Sequence, residues 1–208
     1  MPAPEFDLYL ITDRQQTQGR ELLWVLESAL AGGVRAIQLR EKELSGRELF
    51  YLAEKTRKLT DDYGARLLIN DRIDVALAVG ADGVQLGNDS ISAQTARELV
   101  GLDRMIGVST HSLEEARNAE NQGADFLLFG PVFYTPSKAV YGPPQGIVEL
   151  KKIVEKIALP VYAVGGIKPE NLSETIRAGA RGVAVISAVM AATDPRAATE
   201  SILNLLRR

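Results

Sequence analysis

One short pattern recurs along the chain: an amphipathic segment ends in a glycine-containing turn, and the turn opens into a β-rich run. It reads Ala31-Gly32-Gly33-Val34, Val79-Gly80-Ala81-Asp82-Gly83, Gln122-Gly123-Ala124-Asp125 and Ala178-Gly179-Ala180-Arg181-Gly182. Glycine ends helices there because it takes the left-handed conformation at little steric cost. Strands are predicted at 8–12, 36–40, 66–70, 83–87, 105–109, 125–130, 161–165 and 182–187. Helices are predicted after each, at 20–31, 46–62, 71–79, 92–100, 113–122, 147–157, 170–178 and 195–206. Apolar residues at three-to-four spacing, such as Leu22, Leu23, Leu26, Ala29 and Leu30, suit helices laid on a parallel sheet. Eight βα units predict an α/β chain folded as a (β/α)8 TIM barrel, one domain over residues 1–208. A doubly wound open sheet is the alternative, but no dinucleotide-type glycine fingerprint follows the first strand.

Composition limits the partners. At 208 residues and 46% hydrophobic, the chain can bury a sizeable core. A net charge of −3 argues against nucleic acid and against an anionic membrane surface. There is no cysteine, so disulfides and thiolate metal sites are excluded. No apolar run is long enough to span a bilayer, and Met1-Pro2-Ala3-Pro4-Glu5 does not read as a secretion signal. A cytoplasmic protein is expected; homo-oligomerisation is left open.

Barrels of this kind keep their chemistry where strands end. The predicted ends carry Thr12, Asp13, Gln38, Arg40, Lys42, Asn70, Asp71, Gln85, Asn88, Asp89, Ser90, Ser109 and His111, then Gly130 with Thr135, Ser137 and Lys138, and finally Gly165, Gly166 and Ser187. His111 is the sole histidine and precedes a Ser112…Glu115 capping box. Gly165-Gly166 and Ile186-Ser187, at the last two strand ends, predict a phosphate cradle, although Gly165-Gly166 can equally be a tight turn before Pro169. Arg40, Lys42 and Lys138 form a second cationic cluster, unless Arg40 and Lys42 merely pair with Glu41 and Glu43. The long Gly- and Pro-rich stretch 135–146 has the character of a binding loop, and whether 134–144 closes as a lid is left open. Asp71 can cap the next helix or offer a hard oxygen to Mg²⁺.

Taken in order, the motifs resemble the thiamine phosphate synthase/TenI thiazole tautomerase superfamily. They are Gln38-Leu39-Arg40-Glu41-Lys42, Ile69-Asn70-Asp71-Arg72, Asp82-Gly83-Val84-Gln85-Leu86-Gly87, Gly107-Val108-Ser109-Thr110-His111, Gly130-Pro131-Val132-Phe133, Gly165-Gly166-Ile167 and Val185-Ile186-Ser187-Ala188. The resemblance implies a (β/α)8 barrel. By similarity, Gln38, Arg40, Lys42, Asn70, Ser109 and Lys138 would hold a pyrimidine diphosphate, and Thr135, Ser137, Gly166, Ile186 and Ser187 a thiazole phosphate. Asp71 would be one Mg²⁺ ligand. The position of the synthases' second metal aspartate is occupied here by Ser90.

That serine divides the functional expectations. A neutral hydroxyl is a poor substitute for a carboxylate on Mg²⁺, and Gln85-Leu86-Gly87…Ser90-Ile91-Ser92 resembles the tautomerases. The preferred expectation is therefore a cofactor-free thiazole tautomerase, with His111 as proton shuttle, Lys138 beside it, and Gly165, Gly166 and Ser187 anchoring a phosphorylated thiazole. The alternative is a Mg²⁺-dependent synthase joining hydroxymethylpyrimidine diphosphate to the thiazole phosphate with release of pyrophosphate. A non-catalytic binder of the same small molecules is a third reading, opposed by the many polar strand ends.

Overall fold

The computed structural model describes residues 4–87, 89–136 and 142–207. Among them, eight parallel strands close into a barrel in sequence order, each hydrogen-bonded to the next and the eighth to the first. The strands are β1 (Leu8–Ile11), β2 (Ala36–Leu39), β3 (Arg66–Asn70), β4 (Gly83–Leu86), β5 (Met105–Thr110), β6 (Phe126–Phe129), β7 (Val161–Val164) and β8 (Gly182–Val185). The helices are α1 (Leu22–Ala31), α2 (Gly46–Asp62), α3 (Ile73–Ala78), α4 (Ala93–Val100), α5 (Leu113–Asn121), α6 (Gly146–Lys156), α7 (Pro169–Arg177), α8 (Ser187–Met190) and α9 (Pro195–Leu206). The predicted strands and helices are all present, most of them a residue or two shorter. Two short elements were not anticipated: a 3-10 turn at Arg14–Gln16, and α8, which begins at Ser187 directly beyond β8. Gly33, Gly80, Gly123 and Gly179 all have positive φ, as the turn pattern requires.

Side chains alternate along each strand, so half point at the helices and half into the barrel. Leu8, Leu10, Ile37, Leu39, Leu67, Ile69, Val84 and Leu86 belong to the outer core with Leu26, Leu30, Ala53 and Ile153 from the helices. The inward set begins with aromatic rings. Phe6, Tyr9, Phe126 and Tyr162 meet with centroids 5.0–5.9 Å apart, and the Tyr162 hydroxyl donates to the Phe6 carbonyl at 2.6 Å. Burial pushes both tyrosine hydroxyls far up, so they stay protonated. This quartet fills the N-terminal end of the barrel. Gly107 sits where it gives way to polar groups: a Cβ there would lie 2.4 Å from both Gln85 Oε1 and the Phe126 ring.

The N-terminal end is also tied by charge. Asp125, in the turn before β6, accepts from the Ile106 N–H at 2.7 Å and from Arg97 of α4 at 2.5 Å. Asp82, before β4, accepts from the Leu67 N–H at 2.8 Å, Arg57 of α2 at 2.6 Å and Arg66 at 2.9 Å. The third such junction reverses polarity, with Arg181 before β8 pairing with Asp7 before β1. Burial alone would raise the Asp82 carboxyl, but the Leu67 N–H and the two guanidiniums hold it below the usual carboxylate range. Its stabilisation is therefore present at neutral pH and lost as pH falls through that lowered value. Asp125→Ala leaves the mostly buried Arg97 guanidinium with carbonyl partners but no counter-charge, and urea unfolding should show a loss of about 3 kcal/mol. Asp82→Asn should cost less at neutral pH and flatten the acid limb of the stability–pH curve.

Candidate functional site at the C-terminal strand ends

Neighbouring strands carry the inward direction from one to the next, and it leads to the predicted site. Ile11 pairs with Gln38, and Gln38 with Leu68. Asn70 pairs with Gln85, and Gln85 with Gly107. Ser109 pairs with Leu128, and Leu128 with Tyr162. Since register partners share a face, Gln38, Asn70, Gln85 and Ser109 all look into the barrel above the aromatic quartet. Two residues further along their strands come Arg40, His111 and Gly130, with Gly166 and Ile186 in the same phase on β7 and β8.

The floor of this pocket is polar and incompletely satisfied. Gln85 Nε2 donates to Ser109 Oγ at 3.2 Å, while its Oε1 and the Nε2 of Gln38 are buried with no hydrogen-bond partner. A buried amide group without a partner costs about 1–3 kcal/mol. Such groups are retained where they serve a ligand or hold a shape.

The β1 and β2 ends are fastened by a buried carboxylate. Glu41 is only 4% exposed. Its Oε2 accepts the Arg14 N–H at 3.0 Å, and the Thr12 hydroxyl lies against the same carboxylate. Thr12 Oγ1 in turn accepts the Arg40 N–H at 2.9 Å, and the Thr12 N–H donates to the Gln38 carbonyl at 2.9 Å. Burial raises the Glu41 carboxyl, the Thr12 and Arg14 hydrogen bonds lower it, and Glu43 and Asp13 raise it further, leaving it above the usual range. The alternative, surface pairing of Arg40 and Lys42 with Glu41 and Glu43, is not found among the described residues. Glu43 pairs with Arg14, and among the described residues neither Arg40 nor Lys42 forms an ion pair. Two cations without an ion-pair partner among the described residues thus stand at the rim, with Glu43 close enough to Arg40 to feel its charge.

Asp71 does not cap α3, whose N-cap is Arg72 without a side-chain bond. Its backbone is left-handed, φ 59°. Its carboxylate accepts from Asn70 Nδ2 at 2.8 Å and from the Ser90 hydroxyl. Ser90 Oγ accepts the Gly87 N–H at 2.6 Å, so the serine bridges the β4 end to Asp71.

His111 lies just beyond β5 and is half-buried. Its Nδ1 meets the Gly130 carbonyl. A carbonyl only accepts, so Nδ1 carries the proton and Nε2 is left as the nitrogen for proton chemistry in the neutral ring. The capping box is only half as expected. Ser112 Oγ accepts the Glu115 N–H at 3.1 Å, but Glu115 reaches back to the His111 N–H at 2.7 Å rather than to Ser112. The helix cap therefore holds the histidine's own backbone.

Gly165 (φ 91°) and Gly166 (φ 66°) are explained by packing as well as by any ligand. A Cβ on Gly165 would sit 2.5 Å from the Pro131 Cβ, and one on Gly166 2.6 Å from the Tyr134 carbonyl. The Phe133 N–H donates to the Gly165 carbonyl at 3.0 Å, which brings half-buried Thr135 beside the same strand ends. Ile186 is half-buried and Ser187 exposed at the start of α8. Asn88, Ser137 and Lys138, with much of the expected loop, lie outside the described residues. The Thr12–Glu41 clamp was not anticipated; its sequence trace is only a glutamate held between two basic residues.

Comparison with known proteins places the fold in a family. The family model described as thiamine monophosphate synthase (TMP-TENI) matches residues 8–189. A relative from Geobacter sulfurreducens, named "Putative thiamine-phosphate synthase", is 57% identical over 206 residues, covering 99% of this chain and 97% of the relative. The thiamine-phosphate synthase of Moorella thermoacetica is 45% identical over 205 residues, covering 99% of this chain and 98% of the relative. Among solved structures, thiamine phosphate pyrophosphorylase from Pyrococcus furiosus superposes with a TM-score of 0.88 at 42% identity, covering 97% of this chain and 96% of that one. The chain belongs to the thiamine monophosphate synthase family of thiamine-biosynthesis enzymes.

Proposed function

We propose that the protein is a thiamine-phosphate synthase, coupling hydroxymethylpyrimidine diphosphate to thiazole phosphate and releasing pyrophosphate. The observation that carries this reading is the pair Arg40 and Lys42 at the β2 tip, neither of which forms an ion pair among the described residues. A diphosphate leaving group needs such cations, because negative charge grows on it as it departs. An isomerisation of a monophosphorylated thiazole does not. The names of relatives that match almost the whole chain support the same choice. Read alone, position 90 puts isomerisation first; the rim cations and the relatives' names support the opposite order.

In this reading Gln38, Asn70 and Ser109 line the inward wall against the pyrimidine diphosphate, with Arg40 and Lys42 on its phosphates. The Thr12–Glu41 clamp fixes the backbone from which Arg40 projects. Gly166, Ile186 and Ser187 face the thiazole phosphate, with Thr135 at the adjoining loop. Lys138 and Ser137 are assigned to this pocket by family resemblance. Mg²⁺ takes hard oxygen ligands and is often held by one carboxylate together with phosphate oxygens and water. Asp71, exposed and fixed at the β3 tip, fits that role as the single protein carboxylate. When bound, the ion supplies charge neutralisation on the departing diphosphate.

Ser90 and His111 favour thiazole tautomerisation as the second reading, in which the Nε2 of His111 takes and returns a proton without a metal. A side-by-side assay separates the two. Incubation with both substrates and Mg²⁺ should release pyrophosphate in step with thiamine phosphate, with no conversion of the carboxythiazole tautomer at a comparable rate. Tautomer conversion that outpaces coupling, and that His111→Gln abolishes, would contradict the proposal. Arg40→Ala should lower kcat/KM for the diphosphate about 10- to 100-fold, the loss of one charge-assisted contact. KM for the thiazole phosphate should stay within about twofold, as steady-state kinetics with each substrate varied in turn would show.

A further inference from the structure

Resting on the synthase reading, we propose that the divalent cation enters this pocket only as its complex with the diphosphate, and that Ser90 is the residue that prevents the free protein from holding the ion beforehand. Asp71 is fixed before any ligand arrives. Its left-handed backbone, unusual outside glycine, is held by its N–H on the Gln85 carbonyl at 3.0 Å and by the Ile73 N–H on its own carbonyl at 2.9 Å. Its two carboxylate oxygens already accept, one from Asn70 Nδ2 and one from Ser90. Ser90 Oγ accepts the Gly87 N–H, which directs the hydroxyl proton at Asp71. Ser90 therefore presents a hydrogen-bond donor beside the carboxylate where a cation would need a second negative ligand. Among the described residues, no three His, Cys, Asp or Glu side chains gather into a metal-holding group.

One engaged carboxylate is too little to strip water from a small, strongly hydrated cation. A diphosphate changes the balance, because it brings several anionic oxygens that already chelate the ion. Arg40 and Lys42 then take up its remaining charge, and Asp71 completes the cation's shell. Cation affinity rises with the charge of the ligand set, so a carboxylate at position 90 should reverse the order and let the metal bind first.

Mn²⁺ is a paramagnetic stand-in whose protein-bound fraction can be read by equilibrium dialysis and electron paramagnetic resonance, without turnover. Wild-type protein dialysed against Mn²⁺ alone at about 0.5 mM, a level set by the weak end of oxygen-ligand affinities, should retain none. With inorganic pyrophosphate added, it should retain Mn²⁺ and pyrophosphate together, one to one. Ser90→Asp should retain Mn²⁺ without pyrophosphate, with affinity raised on the order of tenfold or more, about 1.4 kcal/mol. Wild-type protein that binds Mn²⁺ alone, or that binds pyrophosphate equally well with and without Mn²⁺, overturns the inference and leaves the synthase reading standing. Wild-type protein that takes up pyrophosphate in neither condition overturns both. The wild-type arms need no variant, so a misfolded Ser90→Asp would not remove the test.

Discussion

Closure of the sheet is the constraint on which everything else depends. Eight parallel strands joined edge to edge leave each side chain two directions, and the ring of strand pairings propagates one choice around the barrel. Once Tyr9 and Phe126 point inward, the register leaves Gln38, Asn70, Gln85 and Ser109 facing one shared interior. The site is thus assembled by period and register, and individual loops only decorate it. The same closure divides the interior by polarity, with aromatic rings sealing one end and amides and a hydroxyl lining the other.

That polar end is held at a cost in stability. Glu41 is buried with one oxygen unpartnered, Gln38 and Gln85 each leave a buried amide atom unpaired, and Asp71 occupies a backbone region that non-glycine residues avoid. At the opposite end, Asp125 and Asp82 are paired, hydrogen-bonded and close to inert chemically. The contrast matches a barrel that concentrates stability at its N-terminal end and function at its C-terminal end. Arg40 and Lys42 stand at the same end as the site, in no ion pair among the described residues and so available to an anion.

The parts of this arrangement that depend on local periodicity were readable from the chain. Alternating apolar runs, helix-period stripes and the glycine turns before β2, β4, β6 and β8 are short-range signals, and they placed the barrel and its strand tips. The residues of the rim followed from where those strands stop. What escaped depends on contacts between distant segments. The bond from Ser90 to Asp71 spans two loops, Glu41 reaches the backbone of Arg14, and Glu43 takes Arg14 rather than its neighbouring cations. Gly165 and Gly166 show the opposite difficulty. Their sequence signal was clear, yet the crossing segment around Pro131 and Tyr134 demands glycine there on steric grounds alone. Position 90 was legible as a missing carboxylate, but its present partner was not.

The central claim is that the inward-facing tips of β2, β3 and β5 form one anion pocket. A crystal structure of the protein grown with inorganic pyrophosphate and Mg²⁺ addresses it most directly. Pyrophosphate density is expected above the aromatic quartet, in contact with Arg40 and with Asn70 or Ser109, and with the cation against Asp71. Pyrophosphate seated at the N-terminal strand ends or on the outer helices, with the rim holding only water at saturating ligand, would contradict it.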